Sequence, residues 1–342
     1  MSIDTVHPGS SAATSSPRWR RVPRRFFVGT LLLYGIVLGT YFLRLTPAHR
    51  AFPDWRTIVP CFAFASFYVS SGLFLLILGR GHVSRWDVLK VIVASFVLTC
   101  ALTLAVRAEL LLQTIDPSNV ALRNFVQSVG DAANWLFSGV FRIAIQVAVE
   151  EAFKLLPVFI LIATGRLKTA HDAMICGALA GLTFGTVESV SYGYLQYAGS
   201  LQPLTVYLTR FFVMAPLHGI WDALGAGLVF FLSGRWRSND YRRPGIGAYL
   251  AAYCCAVVFH IAHNSLQDVL GPSTQIITVF AMLAPLYVMS KTARRWAEAQ
   301  GEPEELPFIG DLHLLMISLA TWLLATSVAF AWAMGPVPQI AQ

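Results

Sequence analysis

Two adjacent carboxylates, Glu150 and Glu151, stand inside a long apolar run, followed one helical turn later by Lys154. The next three apolar runs carry Glu188, then Arg210, His218 and Asp222, then His260, His263 and Asn264. Carboxylates and imidazoles are the side chains that activate water, relay protons and hold metal ions. A charge at the centre of a bilayer costs roughly 2.5–3.5 kcal/mol on insertion scales. A bundle that only had to pack would not concentrate such groups in four consecutive spans, so the default reading is a functional site inside the membrane.

Spacing sorts these residues into faces. Glu150 and Lys154 are four apart and share a helix face, while Glu151 projects about 100° away. One carboxylate can pair with Lys154 and leave the other turned toward a neighbouring helix, available as a general base. His218 and Asp222 are also four apart, so the acid can orient the ring, and Arg210 lies two turns earlier on the same side. Pro216 removes a backbone donor and is expected to kink the helix there. His260 and Asn264 share a face, and both can donate to a developing oxyanion. His263 projects elsewhere and is read as a packing residue bonded to another helix. Glu188 sits beside a stripe of small residues, Gly177, Gly181, Gly185, Ser189 and Gly193, which lets another helix approach closely.

The elements that must position these groups are membrane spans. The chain has 342 residues, 56% hydrophobic and 13% charged, about half the charged share of soluble domains. Apolar runs at 26–43, 57–79, 88–106, 138–164, 172–198, 204–233, 246–269, 273–290 and 312–334 each approach the length of a spanning helix. The expected fold is therefore an all-α, polytopic transmembrane bundle of about nine spans. Its expected parts are a basic cytoplasmic leader at 1–25, three spans and an outer loop at 26–137, a four-span catalytic core at 138–270, and two spans at 271–342. The Ser/Pro/Arg composition of the leader cannot build a core, and 26–43 reads as a retained first span. Within 107–137, Val120 to Val129 suits an amphipathic helix on the membrane surface. Glu298 to Asp311 reads as an acidic connector.

The net charge of +7 could suggest a nucleic-acid partner, but the basic residues flank the spans, where they set orientation. Arg80, Arg85, Lys90, Arg166, Lys168, Arg235, Arg237, Lys291, Arg294 and Arg295 fall on one side, and the outer loops after the fifth and seventh runs hold no Lys or Arg. This bias predicts the N-terminus inside and the C-terminus outside. The five cysteines all lie in apolar runs, so no disulfide framework is expected.

Glu150-Glu151-x-x-Lys154, Phe184-x-x-x-Glu188, His218 after Pro216-Leu217, and His260-x-x-x-Asn264, in this order over residues 138–270, resemble the PrsW-type intramembrane proteases. That family is grouped with the CAAX prenyl endopeptidases and bacteriocin-processing enzymes. The resemblance implies a peptidase of the bacterial cytoplasmic membrane, acting on membrane-protein or peptide substrates such as an anti-sigma factor. It implies that Glu150 or Glu151 activates water, that His260 and Asn264 form the oxyanion site, and that Glu188 stands where the CAAX relatives carry His. It leaves open a divalent metal such as zinc, held by Glu151, Glu188, His218 and His260. Lys154, Asp222 and Arg210 would support the site.

Two other classes remain on sequence grounds. Mid-membrane carboxylates also mark a proton- or ion-coupled transporter, although no repeat relates the two halves as such carriers favour. A non-catalytic scaffold would use the same groups only for packing. The orientation has its own test. A cysteine introduced beside Gln342 should react with a membrane-impermeant label added outside intact cells, and one in the 234–242 loop should not; the reverse pattern would overturn the charge argument.

Overall fold

A computed structural model describes residues 55–299, apart from 79–82, 109–111, 113–114, 116, 137–141, 197–203, 234–242 and 271–272. Helices α1 (Trp55–Leu78), α2 (Arg85–Val106), α3 (Val120–Leu136), α4 (Arg142–Ala163) and α5 (Ala170–Ser191) come first, α5 continuing into a π-turn at Tyr192–Gln196. Then α6 (Leu204–Thr209), a π-turn at Arg210–Met214 and α7 (Ala215–Leu232) form one continuous rod, followed by α8 (Ile246–Leu270) and α9 (Ser273–Ala299). No strand occurs among the described residues. The described parts of the expected runs from 57–79 to 273–290 fall on helices; 1–25, 26–43, 300–311 and 312–334 lie outside the described residues. The surface helix is longer than expected, reaching Leu136, and α9 runs past Ser290 to Ala299, through Lys291 and Arg295.

Among the described residues, four helical stretches are long and apolar enough to cross a membrane: Arg85–Val106, Ala170–Tyr194, Arg210–Leu232 and Ile246–Leu266. Helix α4 is as long as α2 but carries Glu150, Glu151 and Lys154 at its middle. Its polarity comes from the candidate site itself.

Local chemistry sets the helix ends. Ser84 Oγ accepts from the Asp87 amide at 3.2 Å and Thr169 Oγ1 from the Asp172 amide at 3.1 Å, capping α2 and α5. Gly165, at φ 75°, ends α4 in the left-handed region, while the Arg166 amide donates back to the Leu161 carbonyl at 2.9 Å. This turn sends α5 back antiparallel to α4. Pro216 acts upstream of the expected kink. It has no N–H, and its ring would crowd the carbonyl four residues earlier, so the preceding turn widens to π spacing, with the Ala215 amide reaching the Arg210 carbonyl.

Helix α5 is the centre of the bundle and is buried over nearly its whole length, as a helix apolar on all sides must be. Its most extensive partner is α7. Side chains built at Gly177, Gly181 and Gly185 would collide with the α7 backbone at Asp222, His218 and Ala215 respectively. Ser189 continues the stripe by donating from Oγ to the Arg210 carbonyl at 3.0 Å, whereas Gly193 instead meets Val59 of α1. The main apolar core joins Phe67, Phe74, Ile92, Met174, Leu182, Ile220 and Leu286 from α1, α2, α5, α7 and α9.

Gly181→Ala should therefore lower stability by about 1–3 kcal/mol, as overpacking does, because the new carbon meets the His218 backbone carbonyl and the buried Asp222 carboxylate. Gly247→Ala, with nothing within 4 Å of the new carbon, should be neutral or slightly stabilising. Thermal unfolding of the two detergent-solubilised variants would check the contrast; equal midpoints would contradict the close approach.

Candidate functional site

The charged residues of α4, α5, α7 and α8 come together in one buried cluster. Helix α4 passes Glu150 and Glu151 between α5, α7 and α8, and Tyr253 of α8 ties the two outer helices by donating from its hydroxyl to the Ala148 carbonyl at 2.7 Å. Glu151, Lys154 and Asp222 are fully buried, and Glu150, His218 and His260 nearly so.

Glu151 is the hub. Its Oε1 accepts from Lys154 Nζ and from His260 Nδ1, the latter at 2.7 Å. Lys154 also donates to His218 Nδ1 at 3.2 Å, and His218 Nε2 donates to Glu188 Oε2 at 3.3 Å. Glu150 is held apart from this chain: Gln146 donates to its Oε1 at 3.0 Å, and its Oε2 lies 3.9 Å from His260 Nε2. Lys154 therefore pairs with Glu151 at i,i+3 rather than with Glu150 at i,i+4. Both spacings share a face, and the His218 acceptor on α7 for Lys154 and the His260 donor on α8 for Glu151 decide between them.

The remaining expected residues divide. His218 has both ring nitrogens taken by Lys154 and Glu188, so those residues orient it and Asp222 does not. Asp222 instead touches Glu151, and no hydrogen-bond donor stands at either Asp222 oxygen or at Glu151 Oε2 among the described residues. Two such carboxyl edges become a hydrogen bond only when a proton lies between them, or are satisfied by a cation. Arg210 stacks its guanidinium 3.7 Å over the Tyr192 ring, close enough to Glu188 to act on its charge. His263 is buried and meets Thr278 Oγ1 of α9 at 3.0 Å, as a packing residue would. Asn264 lies one turn beyond His260, half-buried, with no hydrogen-bond partner among the described residues. His260 Nδ1 meets Glu151 Oε1 at 2.7 Å, and its Nε2 lies on the side of Glu150.

Gln146 and Trp221 were not singled out from sequence, and Phe184 entered only as the first residue of Phe184-x-x-x-Glu188. Gln146 stands four residues before Glu150, a spacing that signals the contact. Phe184 and Trp221 place their rings 4.7 and 6.0 Å from Lys154 Nζ, a cation–π setting for a charge that has left water. Trp221 also packs against His218, His260 and His263, with ring centroids 5.2, 4.8 and 5.2 Å away. Only its position beside Asp222 hinted at this.

The cluster opens at Glu188, whose side chain is 21% exposed while its partner His218 is 2% exposed. A metal ion also fits the donors by type and distance. Ligand atoms of Glu151, His218 and His260 lie within 4.8 Å of one another, and imidazole with carboxylate is a zinc-type donor set.

These features define an all-helical integral membrane protein with a water-excluding carboxylate and histidine centre, the class to which membrane-embedded hydrolases belong. The family model of the PrsW family intramembrane metalloproteases matches residues 86–290, and the chain belongs to that family. The protein is accordingly a peptidase. The match is wider than the expected 138–270, taking in α2, α3 and α9 as far as Ser290. No curated protein and no solved structure matches the chain.

The pairing has a measurable consequence. Glu151→Gln strands the fully buried Lys154 charge and should cost about 3–5 kcal/mol, as breaking a buried pair does. The double variant Glu151→Gln/Lys154→Met should recover most of that loss. Thermal unfolding checks it, and a double variant no more stable than Glu151→Gln would contradict the pairing.

Proposed function

We propose that the protein hydrolyses peptide bonds of membrane-protein substrates with a water activated by Glu150. The observation that carries this reading is the separation of Glu150 from the buried ion pair. Glu151 is committed to Lys154 and His260, whereas Glu150 Oε2 faces only the His260 lone pair across 3.9 Å. A water about 2.8 Å from each atom fits that gap. Glu188, at the opening, lies close enough to Glu150 for their charges to interact.

In the first step the water oxygen bonds to the scissile carbonyl carbon while Glu150 takes the water proton. The carbonyl π pair moves onto oxygen and forms the oxyanion. In the second, the oxyanion pair returns, the carbon–nitrogen bond breaks, and the proton on Glu150 passes to the departing amine. The Asn264 amide lies on the same helix as His260 and is proposed to donate to the oxyanion. A divalent ion such as zinc, when bound, supplies Lewis-acid stabilisation of the same oxygen and a more acidic water. Its candidate donors are Glu150, Glu151, Glu188 and His260.

The substrate reaches this centre through the side at Glu188. The charge bias of the loops favours a nine-span chain with its N-terminus inside and its C-terminus outside, which would place the cut in the outer half of the membrane. An anti-sigma-factor-like membrane protein is one substrate class suited to that position.

Reconstituted protein with a fluorogenic transmembrane substrate tests the assignment. Glu150→Gln should remove cleavage while leaving the unfolding midpoint unchanged, and Asn264→Ala should lower kcat by about 10²–10³. Full activity in Glu150→Gln would rule out the assigned base. Mass spectrometry of the products should place the cut in the outer half, and a cytoplasmic-side cut would contradict the depth.

A further inference from the structure

We propose that Lys154 fixes the proton of His218 on Nε2, making this ring a hydrogen-bond donor to the reacting carbonyl and excluding it from the ligands of any metal. The assignment deepens the glutamate-and-water reading above and rests on it for its catalytic part.

The argument is one of donors and acceptors. An ammonium has only donors and a carboxylate only acceptors. Lys154 is fully buried, donates to Glu151, and directs another N–H at His218 Nδ1, 3.2 Å away. That nitrogen must present its lone pair. The single proton of the neutral ring then lies on Nε2, where Glu188 Oε2 accepts it at 3.3 Å. Both flanks demand the same tautomer. The ring of Phe184 beside the ammonium helps keep the charge in place.

His260 is set the opposite way. Glu151 Oε1 can only accept, so the proton lies on Nδ1 and the lone pair on Nε2 points toward Glu150. The two rings, with centroids 5.4 Å apart, thus face the site with opposite polarity. His260 offers a lone pair to a water or a metal ion, and His218 offers a proton. Metals take lone pairs. The three ligand atoms that converge within 4.8 Å are therefore not equivalent. The edge between Glu151 and His218 already holds a cation, that of Lys154. Glu188 is the partly exposed acceptor of the His218 proton, and a substrate carbonyl entering from that side takes its place. Lys154 is a positioning residue, and His218 is the group that touches substrate.

The test is nitrogen NMR of histidine-labelled full-length protein in detergent, with the His218 and His260 signals identified by their loss in His218→Gln and His260→Gln. The wild type should show His218 as the Nε2–H tautomer and His260 as the Nδ1–H tautomer; the reverse at His218 overturns the proposal without any variant of Lys154. In Glu188→Ala, which removes the carboxylate acceptor and leaves Lys154 in place, His218 should remain Nε2–H; adding Glu151→Gln/Lys154→Met to that variant should move its signal to an average of both tautomers. An unchanged signal would show that Lys154 does not fix it. Zinc added to the wild type should leave His218 in the Nε2–H form, and conversion to a metal-bound shift would overturn the exclusion. His218→Ala should lower kcat about 10²–10³-fold with little change in KM, and His218→Gln, which keeps an N–H donor, should recover part of that loss. Wild-type cleavage that survives Glu150→Gln, with both tautomers as assigned, would sink the water-activation reading alone.

Discussion

A lysine with no access to water governs this structure. An ammonium inside a membrane bundle is tolerated only beside an opposite charge and enough acceptors to replace its hydration. Glu151 supplies the charge, His218 Nδ1 an acceptor, and the Phe184 and Trp221 rings a polarisable wall. Those partners come from α4, α5 and α7, with α8 joining through His260. Satisfying one buried cation therefore fixes the relative placement of the helices that carry the chemistry. Separate requirements on each helix would leave that placement loose.

The second constraint is steric. The polar groups of α7 reach the centre only because α5 presents no side chains along one edge. Gly181 and Gly185 let the backbone at His218 and Ala215 approach to contact, and any Cβ there would push the ring out of hydrogen-bond range. The π-turn before Pro216 adjusts the rod so that Arg210 closes over Tyr192 beside the opening. Membrane helices gain little from apolar attraction to one another, since lipid is equally apolar. Close backbone contact and buried hydrogen bonds carry the association instead, and here both meet at the same two helices.

The division of labour between adjacent carboxylates follows from this packing. Glu151 is built into the support, and Glu150 is left with Gln146 on one oxygen and an open edge on the other. A hydrolytic centre in a membrane needs such asymmetry. The support must be dry and fully paired, while the reacting group must meet water and substrate. The partial exposure of Glu188, beside a His218 that is almost fully buried, gives the cluster a polar opening.

Much of this was legible in the chain. Period and length placed the helices, because a bilayer demands about 20 apolar residues and internal backbone pairing. The cost of buried charge marked Glu150, Glu151, Lys154, Glu188, His218, Asp222 and His260 as one site, since pairing within single helices could satisfy only some of them. The small-residue stripe announced a close helix contact. What the sequence could not decide was which atom faces which. Glu150 and Glu151 are both within one turn of Lys154 on their helix, and only the acceptor on α7 and the donor on α8 choose Glu151. Asp222 stands one turn from His218, yet the bond to Glu188 from another helix orients the ring, and Asp222 turns to Glu151. The tautomers of His218 and His260 are set across helices in the same way. Spacing along one helix determines a shared face, whereas pairing depends on donors and acceptors brought in by other helices, and those arrive only when the bundle closes.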